Sequence, residues 1–528
     1  MMDIIAKKNT GSFYTCTSIA DYIANWAIDK PNMSVLEPSF GDGIFIDSAL
    51  NRFAQLGSIQ PHIIGIEIQP EPYAAYINRH ENIHGHLLDF MDYRDGEKVD
   101  AIIGNPPYVS LKNLNANDRN KTLSMINEYG VDMQTSGSMW MPFTIHATEL
   151  LAKNGKLGFV LPYEITHVRY AFDLWKYLST KYGKLTICRV YQDFFPDVDV
   201  ETIVLLAEKK GYSTNHVEYK VFQTVSDLFA NNAYQVSLIY INDIINLQKP
   251  FERELMPKSV ISFLDTLRQQ KRLAPFVDTC KFTIGYVSGN KGYFQITKDD
   301  ISRWGIRQEN ARKSLINAKQ ISANERIGVE TKGVKEFSYL FYPENIGDGE
   351  RNYIEYGEFN GINQGFKCRT RSPWYITPTL KMPDLILTVF GNVPRLLLNN
   401  GNFYVTNSLL SGISRISDNR ELICRWYNSI TLLSIETTIH SLGGGTLVLI
   451  PGETDKLELL SEFPKDRIDI VYDKIAEFAK EHKTEDIYQY GDSLVLEEIY
   501  GFSNQTIREI REAIMILRNW RDPEKRRS

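Results

Sequence analysis

The first 210 residues alternate short β-like runs with stretches of helical pattern. Six of these runs predict strands, because they are apolar or β-branched, compact, and bounded by Gly, Pro, Asp or Asn. They are VLEPSF (35–40), HIIGIEI (62–68), VDAIIGN (99–105), KLGFVLP (156–162), LTICRVY (185–191) and VETIVLLAEK (200–209). A helix is predicted over 141–155, ending at Gly155. The alternation implies an α/β fold with a Rossmann-like, doubly wound, mostly parallel sheet that is covered by helices on both faces.

The pattern changes near residue 240. Beyond it, strand-like pieces, loops and aromatic-rich segments mix without the strand–helix alternation. We therefore predict two domains, 1–240 and 241–528, the second of mixed α+β structure. The last stretch, from Asn504, begins as an amphipathic helix and ends in a basic tail.

Composition excludes several classes of protein. No apolar run approaches the about 18 residues of a membrane-spanning helix, and the first residues lack the apolar stretch of a signal peptide, so we expect a cytoplasmic protein with no membrane partner. The five cysteines form no CxxC pair and the nine histidines show no HExxH spacing, so neither a disulfide framework nor a metal site is predicted. The formal net charge of −6 is only weak evidence against nucleic-acid binding, because the local field in a cleft matters more than the sum.

The segment VLEPSFGDG is the first candidate binding loop. A hydrophobic strand leads into Glu37 and Pro38, and Gly41 and Gly43 follow in the loop. Glycines at a strand end let the backbone approach a ligand closely, and open α/β sheets bind ligands at the carboxyl ends of their strands. Alone, the loop is also consistent with an ordinary tight turn.

Two acidic residues follow at later strand or loop ends. Glu67 ends the second predicted strand, where a carboxylate suits the two hydroxyls of a ribose. Asp89, in GHLLDF, precedes Phe90, and this pair suits an adenine amino group and the face of its ring. The alternative for Asp89 is a helix or turn cap.

The fourth predicted strand, VDAIIGN, leads directly into Asn105-Pro106-Pro107-Tyr108. The two prolines stiffen the loop and remove amide donors, while the carbonyl oxygens and the Asn105 side-chain oxygen remain as acceptors for an amino group. Tyr108 offers a flat face for stacking a planar base. The alternative is a rigid surface turn with a packing tyrosine.

In this order, the segments GSFYT, VLEPSFGDGIFI, IGIEI, LLDF, NPPY, LAKNGKLGFVLP and FFPDVDVETIVLLAEK resemble the gamma-arranged adenine-N6 DNA methyltransferases of bacterial restriction–modification systems. In that family a motif X segment precedes the methyl-donor loop, the catalytic loop follows, and a target recognition domain comes last. The resemblance covers residues 10 to about 210, and beyond 240 it is architectural. It implies the class I methyltransferase fold and S-adenosyl-L-methionine as cofactor.

The resemblance also implies a role for each matching residue. The implied cofactor contacts are Thr15, Glu37, Phe40, Gly41, Asp42, Gly43, Glu67, Ile68, Asp89, Phe90 and Asn105. The implied catalytic residues are Asn105, Pro106, Pro107 and Tyr108. Tyr108 and Phe195 would stack on the target base, with Phe194 as the competing choice for the second aromatic ring. Cys16 departs from the proline that members of the family often carry after the motif X threonine.

The implied reaction is site-specific transfer of a methyl group to the N6 amino group of an adenine flipped out of double-stranded DNA. Asn105 and Pro106 would accept hydrogen bonds from both N6 hydrogens and aim the nitrogen lone pair at the methyl group. Cytosine-C5 chemistry needs a nucleophilic cysteine, and none lies in the catalytic loop. Cytosine-N4 enzymes tend to carry Ser at the first loop position, so Asn105 favours adenine.

By the same resemblance, the second half recognises the DNA sequence. Two of its segments, ISRWGIRQENARKS and GFKCRTRSPWYI, interleave basic and aromatic residues, which suits phosphate contacts and groove recognition. The candidate DNA-binding residues are Arg303, Arg307, Lys367, Arg369 and Arg371. For each segment a solvated charged face is the alternative.

Three other functions stay open. An RNA-base methyltransferase acting on an adenine or guanine amino group would share the sheet and the loops. A protein glutamine-amide methyltransferase uses a similar loop, but carries its substrate domain ahead of the donor loop, which here begins near residue 35. A DNA-binding scaffold without activity is the third.

A fused restriction nuclease would need a PD…(D/E)xK constellation, usually ahead of motif X. Only ten residues precede GSFYT, so we expect modification without cleavage, with a separate cognate restriction endonuclease as a possible partner. An asymmetric recognition domain of this size favours a monomer.

Overall fold

The computed structural model describes residues 15–78, 80, 83–94, 97–192, 201–246, 249–322, 325–334, 336–378, 380–441, 445–522 and 524. These residues form two compact units. The first contains the described residues up to Glu254 together with 522 and 524, and the second is Leu255–Arg521. The sequence predicts a boundary at 240, where the last strand of the first unit ends, whereas the units themselves divide between Glu254 and Leu255.

The first unit is built on one mixed sheet. Among the described residues its strands are β1 (Ser34–Glu37), β2 (His62–Glu67), β3 (His84–Leu87), β4 (Val99–Gly104), β5 (Leu151–Pro162), β6 (Tyr182–Val190), β7 (Thr202–Lys210), β8 (His216–Phe222) and β9 (Gln235–Tyr240). Their order is β3-β2-β1-β4-β5-β7-β6-β8-β9. The pairs from β3 to β5 are parallel, and β7 lies antiparallel between β5 and β6. The predicted fold class, an α/β sheet that is mostly parallel, is confirmed.

Helices cover both faces of this sheet. They are α1 (Thr17–Ala27), α2 (Ile44–Gln55), α3 (Pro70–Ile77), α4 (Ala116–Glu128), α5 (Trp140–Leu150), α6 (Phe172–Lys181), α7 (Val225–Phe229), α8 (Ile241–Asn246) and α9 (Pro250–Arg253). On one face, Val35 and Ala101 pack with α1 and α2 in a single apolar cluster. The alternate residues Leu36, Ile102 and Leu157 are equally buried, so the opposite face is covered too.

The helix predicted over 141–155 ends earlier than the sequence indicated. Helix α5 stops at Leu150, and β5 begins at Leu151. Leu151 pairs with Val99, and the next pairing joins Lys156 to Ala101, so the intervening residues form a bulge that contains Gly155. The glycine therefore marks an irregularity in a strand and not the end of a helix.

The second unit is mixed α+β, as predicted. Its described strands are β10 (Leu273–Pro275), β11 (Cys280–Ile284), β12 (Gln295–Ile296), β13 (Ala311–Leu315), β14 (Ser338–Phe341), β15 (Leu385–Thr388), β16 (Leu396–Leu398), β17 (Tyr404–Val405), β18 (Leu409–Ser414) and β19 (Glu458–Leu460). They form small sheets with the orders β10-β19, β11-β18-β15-β16 and β12-β14-β13-β17. An aromatic cluster fills one core, where the rings of Tyr293 and Tyr353 stack with centroids 4.6 Å apart.

The helices of the second unit are mostly short until its end. They are α10 (Lys258–Gln269), α11 (Lys291–Phe294), α12 (Lys298–Trp304), α13 (Asp348–Phe359), α14 (Phe366–Arg369), α15 (Arg420–Trp426), α16 (Ser429–Thr438), α17 (Pro451–Thr454), α18 (Ile468–Glu481), α19 (Thr484–Gly491) and α20 (Asn504–Arg521). The last helix is the amphipathic one that the sequence predicts. Its Arg518 and Arg521 both pair with buried Glu436, so these two arginines anchor the helix to the unit. The basic tail at 525–527 lies outside the described residues.

Candidate active site

A cavity of about 300 Å³ lies at the carboxyl ends of the parallel strands. Because β3, β2, β1 and β4 are adjacent and parallel, the residues that follow them meet at one edge of the sheet. Of the residues that the sequence singled out, the cavity is lined by Thr15, Glu37, Phe40, Gly41, Asp42, Glu67, Ile68, Asp89, Phe90, Asn105 and Pro107. Its size falls within the range of small-molecule sites.

Glu37, the last residue of β1, is a buried acid at this cavity. Its side chain is 2% exposed, and its oxygen Oε2 has no hydrogen-bond partner among the described residues. Burial, and then the neighbouring carboxylates Asp42 and Glu67, raise the pKa of Glu37 well above its ordinary value. The carboxyl group accepts a backbone hydrogen bond from Ile46, but a buried oxygen without a partner, such as Oε2, is costly unless a ligand supplies the missing donor. The site therefore suits a cationic hydrogen-bond donor.

The loop after β1 is shaped by Gly43, which does not itself line the cavity. Gly43 has φ +86° and directly precedes α2, and its amide donates to the Phe40 carbonyl at 2.7 Å. An added Cβ would overlap the Tyr76 ring. Both the left-handed backbone and the close ring require glycine here, so Gly43 shapes the loop by packing against Tyr76, whereas the sequence analysis predicts that it contacts the cofactor.

Glu67, the last residue of β2, is held by two backbone amides. Its Oε2 accepts from Gly41 N at 2.9 Å, and its Oε1 accepts from Gln69 N at 2.8 Å. The carboxylate is thus fixed between the loops after β1 and β2. Each oxygen keeps acceptor capacity for a further donor, which suits a pair of ligand hydroxyls.

Asp89 and Phe90 follow β3. Asp89 Oδ1 accepts from Met91 N at 3.0 Å and caps a short 3₁₀ turn, so the capping alternative holds while the residue also lines the cavity. Burial raises the pKa of Asp89 above its ordinary value. Phe90 is buried, and its ring packs against Phe143 and His146 at centroid distances of 5.0 and 4.7 Å. Phe90 thus forms a firm apolar wall beside a polar acceptor.

The loop after β4 is joined to the start of the described chain. Asn105 Nδ2 donates to Thr15 Oγ1 at 3.2 Å, and the Asn105 carbonyl accepts from Ser39 Oγ at 3.3 Å. Thr15 is itself buried. These bonds fix the orientation of the Asn105 amide with its nitrogen committed to the protein. The amide oxygen is the group that remains suited to accept from a ligand.

Pro106 and Tyr108 stand next to this cavity in sequence without lining it. Pro106 is buried, and Tyr108 is half-buried with its hydroxyl donating to the Val160 carbonyl of β5 at 3.2 Å. Burial, with a smaller contribution from Glu164, raises the pKa of Tyr108 well above its ordinary value, so the phenol keeps its proton. Phe195 and the competing Phe194 lie outside the described residues.

Part of the cavity wall comes from residues that the sequence did not indicate. Leu114, Asp118 and Thr122 belong to the segment between β4 and α5, and Met139 and Phe143 lie at the start of α5. The one local signal is Asn115, which caps α4 by accepting from Asp118 N at 3.0 Å. A cap predicts where a helix begins and not which cavity the helix faces.

Two of the candidate DNA-binding residues of the second unit, Arg307 and Arg371, form ion pairs or hydrogen bonds within the protein. Arg307 pairs with Glu309 and Glu350 and also donates to the Asn345 carbonyl. Arg371 donates to the carbonyls of Ser288 and Val287 at 2.8 and 2.6 Å.

The other three candidates are exposed. Arg303 lies over the Trp304 ring, at 5.7 Å from its centroid, and Lys367 and Arg369 lie over the Phe366 ring, at 5.7 and 5.5 Å. These three cations remain accessible to a ligand.

Among the described residues there is neither a metal-binding cluster nor a membrane-spanning helix. No group of three or more His, Cys, Asp or Glu side chains is placed to hold a metal ion in that part of the chain. Within the same residues, no helix is long and apolar enough to cross a membrane.

Two family models match the chain. The Eco57I restriction-modification methylase model matches residues 54–194, and the model of the C-terminal domain of Type II methyltransferase M.Eco57I matches residues 248–496. The first match includes Glu67, Asp89 and Asn105. The second lies within the part of the chain predicted to recognise DNA.

Known relatives span most of the chain. Type II methyltransferase M.AccI from Acinetobacter calcoaceticus is 23% identical over 439 residues, which are 79% of this chain and 77% of the relative. M.BstVI from Geobacillus stearothermophilus is 21% identical over 76% of this chain and 81% of the relative. Among solved structures, the Type IIL restriction-modification enzyme MmeI in complex with DNA matches with a TM-score of 0.56 at 11% identity, over 96% of this chain and 75% of that one. The similarity to MmeI supports the fold alone.

Proposed function

Because this chain belongs to the family of Type II restriction–modification methyltransferases, we propose that it transfers a methyl group from S-adenosyl-L-methionine to the N6 amino group of an adenine in double-stranded DNA. The modification would protect DNA within a restriction–modification system. A separate cognate restriction endonuclease is the partner that such a role implies, and we propose that the chain acts as a monomer.

One observation carries the proposal: a single cavity is lined by all the residues that the sequence assigns to the cofactor except Gly43, and these include Asn105 of the catalytic loop. Thr15, Glu37, Glu67, Asp89 and Asn105 are widely separated along the chain, yet all line it. If these residues served only as a turn, a cap and strand ends, nothing would require them all to line the same cavity. Their meeting supports a site for one elongated ligand beside the catalytic loop.

The cavity fits S-adenosyl-L-methionine by its donors and acceptors. The unpartnered, buried Oε2 of Glu37 suits the ammonium group of the methionine part, and Glu67, held by two amides, suits the ribose hydroxyls. Asp89 would accept from the adenine amino group, with Phe90 against the ring. When bound, the cofactor supplies an electrophilic methyl group on a positively charged sulfur.

The catalytic loop would act by orienting the target nitrogen. The N6 lone pair of adenine is delocalised into the ring, which makes the nitrogen a weak nucleophile. The Asn105 amide oxygen and the Pro106 carbonyl would accept hydrogen bonds from the two N6 hydrogens and point the lone pair at the methyl group. With the amino group held in this way, the nitrogen would take the methyl group as the bond to sulfur breaks, and one N6 proton would leave to water. Orientation of this kind supplies much of the acceleration without a strong base.

The target adenine must leave the duplex to reach this loop. Tyr108 and Phe195 would stack on it from two sides, each contributing about 1–3 kcal/mol. The hydrogen bond from Tyr108 to Val160 holds one of these rings in place. The second unit, with Arg303, Lys367 and Arg369 exposed, would bind the surrounding DNA.

The acceptor class is tested by single-turnover transfer of a labelled methyl group to duplex DNA, duplex RNA and a glutamine-containing peptide. We expect label in DNA alone. Label in RNA or peptide, with none in DNA, would replace the proposal by one of the alternatives that the sequence leaves open.

A further inference from the structure

The second unit contains a large basic groove, and none of the residues that line it lines the candidate active site. It has a volume of about 830 Å³ and lies between residues 283–287 on one side and residues 367–378, 380 and 381 on the other. The residues lining this basic groove are Thr283, Ile284, Gly285, Tyr286, Val287, Lys367, Thr370, Arg371, Ser372, Pro373, Ile376, Pro378, Leu380, Lys381, Val405 and Ser411.

The two sides of the basic groove are tied together by Arg371. Its guanidinium donates to the carbonyls of Val287 and Ser288, which lie beyond the end of β11. On the same side, an added Cβ at Gly285 would overlap the carbonyl oxygens of Val405 and Thr406, so glycine allows β11 to continue closely past β17. Contacts to the backbone therefore fix the shape of the groove, and Arg371 stabilises that shape through its two hydrogen bonds.

The charge of the groove is opposite to that of the whole chain. Its lining includes Lys367, Arg371 and Lys381 and no carboxylate, whereas the chain has a formal net charge of −6. Within the part of the chain that the structure describes, neither Lys367 nor Lys381 forms an ion pair, and both are exposed. Clustered cations without acidic neighbours concentrate polyanions.

An exposed aromatic side chain extends this surface. Phe366 is 66% exposed, and Lys367 and Arg369 both lie over its ring. The hydroxyls of Thr370 and Ser372 on the groove wall add hydrogen-bonding groups. Cations and hydroxyls are the side chains that most often contact the phosphates and sugars of a nucleic acid.

We infer that the basic groove binds the sugar–phosphate backbone of the DNA whose adenine is methylated, with Lys367 and Lys381 each neutralising one phosphate. The inference rests on the proposed function. It changes the assignment of Arg371 from a DNA contact to the residue that holds the groove open, and it adds Lys381, which no sequence pattern indicated. These contacts position the duplex and carry no sequence information.

The test measures how DNA affinity depends on salt in the full-length chain. Each neutralised phosphate contributes a slope of about −0.9 to a plot of log affinity against log salt. The variant Lys367→Ala/Lys381→Ala should therefore lower the magnitude of the slope by about 1.8. The matched control is Lys465→Ala/Lys474→Ala, which removes the same charge from exposed lysines of the same unit outside the groove.

Two further readouts separate this inference from the proposed function. In the groove variant, affinity for S-adenosyl-L-methionine should stay at the wild-type level, because neither lysine lines the candidate active site, while the KM for duplex DNA should rise. Wild-type methylation together with an unchanged slope would overturn the groove assignment alone. Failure of the wild-type chain to bind or methylate DNA would overturn both, and a slope change with duplex RNA but not DNA would overturn the choice of ligand.

Discussion

Glu37 gives the sharpest test of cofactor binding, because its acid group is buried at the cavity and Oε2 has no partner among the described residues. Burial, and then repulsion from Asp42 and Glu67, raise its pKa well above the ordinary value. In the unfolded chain the pKa of a glutamate is about 4.3. Protonation of Glu37 therefore stabilises the folded, ligand-free protein relative to the unfolded chain. This contribution to stability is lost as the pH rises through the raised pKa of the folded protein. A cationic ligand group reverses the preference, since it stabilises the ionised carboxylate.

Replacing Glu37 by Gln keeps the shape and removes the charge. A hydrogen bond to a charged group contributes about 1.5–3 kcal/mol, and about 1.4 kcal/mol corresponds to a tenfold change in Kd. Glu37→Gln should therefore weaken S-adenosyl-L-methionine binding by roughly 10- to 150-fold. Wild-type affinity should also rise with pH as Glu37 ionises, and the variant should lack this dependence. Without ligand, the variant should be the more stable protein at alkaline pH.

Isothermal titration calorimetry from mildly acidic to mildly alkaline pH measures both effects. The matched control is Glu71→Gln, which makes the same change at an exposed glutamate in the first turn of α3. We expect wild-type binding from the control. An unchanged Kd in Glu37→Gln, with the wild-type pH dependence, would refute the role of Glu37 as the partner of a cation.

Three other residues give predictions that need only stability or activity measurements. Gly43→Ala should lower the free energy of unfolding, measured by chemical denaturation, by about 2–5 kcal/mol, because the left-handed backbone and the ring overlap act together. Gly41 has φ +53° but open space around it, so Gly41→Ala should lower the same free energy by only about 1–2 kcal/mol, and equal losses would contradict the packing argument. Arg189→Met should cost about 3–5 kcal/mol because it leaves Glu201 without its buried ion-pair partner, and adding Glu201→Gln should recover part of the loss; no recovery would count against the pair. Tyr108→Phe should keep most methylation because the stacking ring remains, and Tyr108→Ala should lower it by roughly 5- to 150-fold; equal activity in these two variants would exclude stacking.

The strand ends of the first unit could be predicted because each carries its own local signal. An apolar run that stops at Glu37, at Glu67 or before Asn105 both defines a buried strand and places a polar group at its carboxyl end. Since parallel neighbours align these ends, the cavity follows once the strand order is known. The order itself, with β7 inserted antiparallel between β5 and β6, depends on long-range pairing that no short segment encodes.

The roles of other residues depend on which residues they contact in the folded protein, and these contacts are not visible in the local sequence. Asp118 lines the cavity because of where α4 packs, and its sequence context predicts only a helix start. Arg371 has the same local pattern as Lys367 and Arg369, yet it donates to backbone carbonyls that are more than 80 positions away in the chain. Gly155 is a helix terminator by pattern and lies in a strand bulge, because Leu151 already pairs with Val99. In each case a long-range contact decides between two roles that the local sequence allows equally.

The central claim is that the loop at Asn105 directs methylation to the N6 nitrogen of adenine. The most direct measurement incubates wild-type protein and Asn105→Ala with S-adenosyl-L-methionine and unmethylated genomic DNA, digests the DNA to nucleosides and identifies the modified base by mass spectrometry. Cofactor affinity is measured on the same two preparations. We predict N6-methyladenine from the wild type alone, with cofactor binding retained in Asn105→Ala. A different methylated base, or comparable N6-methyladenine from the variant, would contradict the account.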